Sequence, residues 1–202
     1  IALLVSFPLG ILASRKPGGP LDRFVSSFVL LGQSLPSFWF GVMLILIFSR
    51  NLGWLPSFGA TDWKSLILPA ITLATPVASV LTRMVRSGLL DVVQEDYIRT
   101  ARAKGLPKSV IVRDHEVRNM LIPVLTLAAL QFGHLLGGAI VVESVFSIPG
   151  VGRELVQSLL DRDYPVVQAA VFFIAIVIVV LNVLVDIAYG IIDPRASVVA
   201  KK

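Results

Sequence analysis

Five apolar stretches alternate with polar ones along the chain: residues 1–13 (IALLVSFPLGILA), 24–49, 65–85, 119–142 and 166–189. The last four reach the ~20 residues a helix needs to cross a hydrocarbon core, and the first falls short, as a helix whose beginning is missing would. Backbone groups in lipid must be bonded internally, so the pattern predicts an all-α polytopic membrane protein with five visible spans. Prolines punctuate the spans at Pro36, Pro69, Pro76 and Pro123. At Ser34-Leu35-Pro36-Ser37 the second span is expected to kink and continue, because proline removes one backbone hydrogen bond.

The polar stretches differ in kind. Residues 14–23 (SRKPGGPLDR) form a turn rich in Pro and Gly, and 50–64 form a loop whose Trp54 and Trp63 suit a membrane interface. Residues 143–165 are too polar to span; they carry the turn Ile148-Pro149-Gly150 and an amphipathic pattern over 152–160, which predicts a short surface helix. The longest polar run, 91–123, is a loop between spans. Within it Val92, Val93, Tyr97, Ile98, Ala101 and Leu106 recur near helical spacing, giving a helix with one apolar face. Gly105-Leu106-Pro107 ends that helix, with Gly suited to the position just past it and Pro unable to continue it. A second helix is expected from near Lys108 toward Pro123. The object is a helix-Gly-helix elbow whose apolar face needs a cover, and a partner protein is the expected one; the bland alternative is a solvated charged loop.

Composition sharpens the class. Of 202 residues 55% are hydrophobic and 15% charged, against about 25% charged in soluble domains, and mean hydropathy is +0.84. Fourteen of the eighteen Lys and Arg fall in alternate loops on one side, leaving Arg50, Lys64, Arg153 and Arg162 on the other. The positive-inside rule puts the fourteen, the polar run and the C-terminus in the cytoplasm, so the net charge of +5 needs no nucleic acid. With no cysteine there is neither a disulfide framework nor a thiolate metal site. The chain starts at Ile1 inside an apolar run, without Met or a basic leader, and is expected to be a piece of a longer protein.

Candidate chemistry is sparse. His115-Glu116 resembles the start of a zinc-protease helix motif, but Asn119 stands where the second His is needed. No Gly-x4-Gly-Lys-Ser/Thr loop occurs, so any ATP driving this chain is hydrolysed elsewhere. Gln131 and His134 lie within a span, where polar groups either line a pathway or hydrogen-bond a neighbouring helix. Gly133 and Gly137 favour close helix packing, and Asn182 and Asp186 sit one turn apart on the last span. No acidic residue occupies the middle of a span, which weighs against an ion-driven carrier. No catalytic, cofactor-binding or metal-binding residue is assigned.

The run Glu95-Asp96-Tyr97-Ile98-Arg99-Thr100-Ala101-Arg102-Ala103-Lys104-Gly105-Leu106 resembles the cytoplasmic loop of ABC-importer permeases of the dipeptide, oligopeptide and nickel class. Ser34 to Trp39, 51–56 (NLGWLP), 143–152 (ESVFSIPGVG), 162–168 (RDYPVVQ) and Asp193-Pro194-Arg195 agree, with the wording of the permease usually placed first of a pair. Asp114-His115-Glu116 departs from the family, which commonly has a basic residue, His and a small or apolar residue there. The resemblance covers essentially all of 1–202 and implies a type I ABC-importer transmembrane domain with its N-terminal span missing. It implies a multi-pass subunit of a prokaryotic inner or plasma membrane, in contact with lipid and forming half of a translocation pathway for peptides or a related small solute. Its partners would be a second permease, two cytoplasmic ATPase subunits and an external solute-binding protein. The loop 86–118 would be the coupling element, with Tyr97, Arg99, Thr100, Ala101, Arg102, Ala103, Lys104, Gly105 and Leu106 docked on the ATPase. Segment 143–165 would be external, and Gln131 and His134 possible pathway-lining residues. A non-transporting assembly subunit is the alternative, followed by an ion-coupled carrier and a membrane protease. Peptide, glutathione and nickel chelate share this wording, so the substrate stays open.

The charge asymmetry makes a prediction that the cysteine-free sequence lets one test. Single cysteines at Ser57 and Ser158 are expected to react with an impermeant thiol reagent added outside sealed cells, and those at Lys108 and Ser197 to be protected. Outside labelling of Lys108→Cys would reverse the orientation.

Overall fold

The computed structural model describes residues 1–107 and 110–192, so Lys108, the Asp193-Pro194-Arg195 motif and Ser197 lie outside it. Every regular element among the described residues is helical. The chain divides into two units, one of residues 1–34 and 77–129 and one of 35–76 and 130–202, with both boundaries in the middle falling inside helices.

In the first unit, α1 (Ala2–Ser14) and α2 (Pro20–Ser34) form a hairpin packed through Ala13, Val25 and Val29, with Leu9 against them. Gly18 takes φ +74 in the turn between them, the left-handed region that Gly occupies without strain. The unit also holds the C-terminal half of α4 (Ile67–Val92), where Leu81, Val85 and Leu89 are buried. A Cβ on Gly10 of α1 would lie 2.4 Å from Val85 Cγ1 and 3.0 Å from the Thr82 carbonyl, so α1 meets α4 nearly backbone to backbone. Gly88 likewise leaves room for Met120 at the start of α6 (Arg118–Val145), its Cβ position 3.0 Å from Met120 Cγ. The described α5 (Asp96–Ala103) and the π-helical turn Ile111–Val117 complete this unit.

The second unit begins after a break. The expected kink at Pro36 is a full interruption: α2 stops at Ser34 and α3 (Ser37–Leu44) starts anew beyond Pro36, whose backbone is extended at φ −59, ψ 132. Two residues are lost to the helix because Pro36 lacks an N–H and also pushes Leu35 out of the α region. The Pro36 carbonyl accepts from the Phe40 N–H at 3.0 Å and opens the new helix. α3 continues as a π-helical turn, Ile45–Asn51. A 3-10 turn, Trp63–Leu66, is opened by a reciprocal capping box between Asp62 and Ser65 and leads into α4. Phe146, Leu68, Val142 and Leu44 form the core of this unit, and Gly41 lets α3 approach the Phe146 ring. α7 (Val151–Leu160) is the short helix expected over 152–160, and α8 (Tyr164–Ile192) is the last apolar helix.

Among the described residues three helices are long and apolar enough to cross a membrane, a fourth if the broken pair α2/α3 is one span, while α1 is shorter. All five apolar stretches are thus helical. Thr72, Thr75 and Thr82 return their hydroxyl protons to carbonyls four residues back, at 2.8, 2.8 and 2.6 Å, which hides them from lipid. Among the described residues of the apolar part of α8 only Ala170 is buried, and the apolar window of α6 is almost wholly unburied.

Ser158 proves buried at 6% exposure, so the neighbouring exposed Gln157 is the better cysteine position on α7. Packing predicts a contrast between two glycines. Gly10→Leu drives a side chain into the α4 backbone, and overpacking of this kind costs about 1–3 kcal/mol; the thermal midpoint of the purified protein in detergent should fall. Gly133, whose Cβ would meet nothing within 4 Å, should accept Leu with little change in the same measurement.

Candidate functional site

α4 runs to Val92, so Arg83 and Arg86 are helical rather than part of a loop, and the connection to α5 is only residues 93–95. Glu95, in extended backbone, precedes α5, and its carbonyl accepts from Ile98 N at 3.1 Å. Asp96 in the first turn and Arg102 in the last both complement the helix dipole. The end of α5 closes by a two-bond cap: Gly105 N donates to the Arg102 carbonyl at 3.0 Å, and Leu106 N to the Ala101 carbonyl at 3.3 Å. Gly105 sits at φ +74, as its place just past the helix requires. The Pro107 carbonyl then accepts from Val110 and Ile111, starting the helical run that becomes α6. The expected helix-Gly-helix elbow is therefore present.

Its apolar face is divided: Ile98 and Ala101 are covered within this chain, where a partner was the expected cover, while Tyr97 and Leu106 of the same pattern stay exposed. Ile98 (0% exposed) and Ala101 (5%) pack on Ile111 and Val92 of this same chain. The helical spacing was legible, but which side covered it depended on Ile111 folding back across the Gly105 turn. Two polar tethers add to this small core. Asn119 Nδ2 donates to Tyr97 Oη at 3.2 Å and to the His115 carbonyl at 2.7 Å, so Asn119 fastens α5 to the head of α6. Glu116, 8% exposed, has a carboxylate oxygen 3.9 Å from Arg102 Nη2. Arg113 and Asp114 pair side by side at 2.7 and 3.0 Å on the exposed side; the guanidinium holds the Asp114 carboxyl below its usual range and is itself raised by it.

What faces outward is a different set. Tyr97, Arg99, Thr100, Arg102, Ala103, Lys104, Gly105 and Leu106 are exposed. Arg99 is loosely paired with Asp96 at 3.5 Å, and the Thr100 hydroxyl donates to the Asp96 carbonyl at 3.0 Å. Of the two intramembrane candidates, Gln131 is half-buried and His134 exposed on α6; Asn182 is exposed on α8, and the Asp186 side chain lies outside the described residues.

Segment 143–165 has its own geometry. The Glu143 carboxylate accepts from Arg153 N at 3.1 Å and so caps the N-terminus of α7. A Cβ on Gly150 would stand 2.3 Å from Glu143 Cδ, and one on Gly152 2.8 Å from Oε2, which explains the Pro-Gly-x-Gly wording around the carboxylate. Arg153 Nη1 donates to the Ser147 carbonyl at 2.9 Å within the segment, and Asp163 accepts from Val166 N at 3.3 Å at the start of α8, so both charges are engaged locally.

The family model of the binding-protein-dependent transport system inner membrane component matches residues 6–198. This chain belongs to that family. Among curated relatives, the chain is 48% identical over 193 residues to the glutathione transport system permease protein GsiC of Pectobacterium atrosepticum, covering 96% of this chain and 63% of that protein. Its counterpart in Salmonella typhimurium is 47% identical with the same coverage, so the chain spans under two thirds of the curated relatives it matches. Two crystal forms of the inward-facing MetNI methionine ABC transporter superpose with TM-scores of 0.76 and 0.78, at 21% and 22% identity, each covering 95% of this chain and 88% of that one. The fold is that of a type I ABC-importer transmembrane domain.

The elbow itself predicts two graded effects. No atom crowds a Cβ at Gly105, so Gly105→Ala meets only the left-handed penalty of ~1–2 kcal/mol, raising amide exchange in α5 roughly five- to thirtyfold. Ala101→Asp puts a carboxylate among Ile98, Ile111 and Val92 and should free α5 altogether, seen as protease cleavage in 93–107.

Proposed function

We propose that this chain is the permease subunit of an ATP-driven importer, forming half of the pathway for glutathione, a peptide or a related small solute. The observation that carries the reading is the construction of the elbow. α5 is bonded to the helical run entering α6 by a core and two polar tethers, while its other side is left exposed and cationic. Such an element passes a push on its outer side into the helices it is fastened to. ATPase subunits docked on Tyr97, Arg99, Thr100, Lys104 and Leu106 would supply that push, tilting spans as rigid bodies for alternating access. The charge asymmetry supports a cytoplasmic elbow in the cell membrane. It also supports an external 143–165 segment, where exposed Glu154 and Gln157 are available to a solute-binding protein. The glutathione-named relatives put that tripeptide first among solutes to try.

The test is the full-length chain assembled with its co-purifying subunits in vesicles, scored for ATP-dependent uptake of glutathione and short peptides. Gly105→Glu leaves every membrane-facing residue unchanged, so insertion should be normal while uptake falls about tenfold or more, equivalent to ~1.4 kcal/mol in coupling. Normal uptake by Gly105→Glu would remove the elbow from the coupling role, and no ATP-driven uptake by the wild type would remove the importer reading.

A further inference from the structure

We propose that Asp22 and Arg86 form a clamp that makes α1, α2 and the C-terminal half of α4 respond to the elbow as one body, and that this clamp sets how much transport each ATP drives. The inference rests on the importer reading above. Arg86 Nε and Nη2 donate to the two Asp22 carboxylate oxygens at 2.5 and 2.8 Å, across 64 positions of sequence. Gly18 N adds a bond at 2.8 Å and the Ser26 hydroxyl one at 3.4 Å, so the carboxylate at the head of α2 is held from three directions. Its side chain is 5% exposed.

The position is what gives the pair a mechanical meaning. Arg86 lies one residue past Val85, where Gly10 brings α1 against the α4 backbone. Both members of the α1/α2 hairpin are therefore attached to α4 within the stretch Thr82–Arg86. Two residues further, Gly88 meets Met120 at the start of α6, and the elbow core at Val92 follows. A displacement entering at α5 would thus reach the hairpin through about two turns of α4, from Val92 back to Val85. Stability alone is a poor reason for such a pair, because a buried ion pair is often matched or bettered by apolar residues of similar volume. A two-pronged guanidinium–carboxylate contact does what an apolar contact does not: it fixes the register and rotation of α2 on α4.

The experiment compares uptake and ATP hydrolysis in the same vesicles, using the assembled full-length transporter. The double variant Asp22→Asn with Arg86→Gln removes both charges together, leaving no lone buried charge. It should assemble and hydrolyse ATP, but uptake per ATP should fall about fivefold or more, the lower end of a coupling between sites. An unchanged ratio with normal assembly overturns the clamp. As a second measurement, Asp22→Cys with Arg86→Cys can be bridged by a reducible bifunctional thiol reagent. Uptake per ATP should recover on bridging and fall again on reduction; equal ratios overturn the proposal. Loss of assembled protein in both double variants would make the pair a folding element only and overturn it as well. If the wild type shows ATP-driven uptake while the variants keep its ratio, only the clamp fails. If the wild type shows none, the importer reading fails first.

Discussion

Backbone polar groups must find partners, strictly inside the protein where they meet lipid and by built caps at helix ends beyond it, and most features of this chain answer that demand. Within a helix the answer is automatic; at helix ends it has to be built. α5, α6 and α7 close with the same pair of bonds, in which the two residues past the cap donate back into the last turn. The residue that makes the turn is Gly105, Ser147 or Arg162, each in the left-handed region. Two of the three carry a side chain there, at a cost of about 1–2 kcal/mol each. That the chain accepts the cost at Ser147 and Arg162 shows how much the closed carbonyls are worth. Glu143 answers the complementary problem, supplying an acceptor to the N–H groups that open α7.

Local devices of this sort were legible in the sequence because their signals lie within a few residues. Gly105-Leu106-Pro107 announced the elbow, and the pattern over 152–160 announced α7. Pro36 was read correctly as a disturbance and incorrectly as a kink; its effect on Leu35 doubled the interruption. What could not be read was long-range. The cover of Ile98 and Ala101 comes from Ile111, on the far side of a turn, and nothing in the spacing of α5 says whether its apolar face meets its own chain or another. Nothing in the sequence around Asp22 points to its partner, which lies 64 positions on. Asn119 was noticed for the histidine it is not, whereas its amide fastens Tyr97.

The same distinction separates what holds the elbow from what it presents. Residues facing inward are apolar or engaged: Ile98, Ala101, Ile111, and Glu116 against Arg102. Those facing outward include the cations Arg99 and Lys104 and two larger side chains, Tyr97 and Leu106, all exposed. The proposed coupling role needs both properties, stiffness behind and adaptability in front, and one eight-residue helix would supply them by dividing its circumference. In this chain Ala101 admits the close approach of Ile111, and Gly105 turns the chain so that the approach is possible.

Stiffness behind α5 would be wasted if the helices it is fastened to were free to slide on their neighbours. In lipid the hydrophobic effect gives helices little reason to keep a fixed register, since a hydrocarbon tail solvates leucine as well as another leucine does. Register then has to come from shape and from directional bonds. The first unit uses shape at Gly10 and Gly88, where the missing Cβ fixes how deeply two helices nest, and direction at Asp22 and Arg86, where two parallel bonds fix rotation. All three lie within the two turns of α4 that precede the elbow. In the proposed coupling role their concentration there has a mechanical sense: a lever holds its load best when it is pinned beside the point where the force would enter.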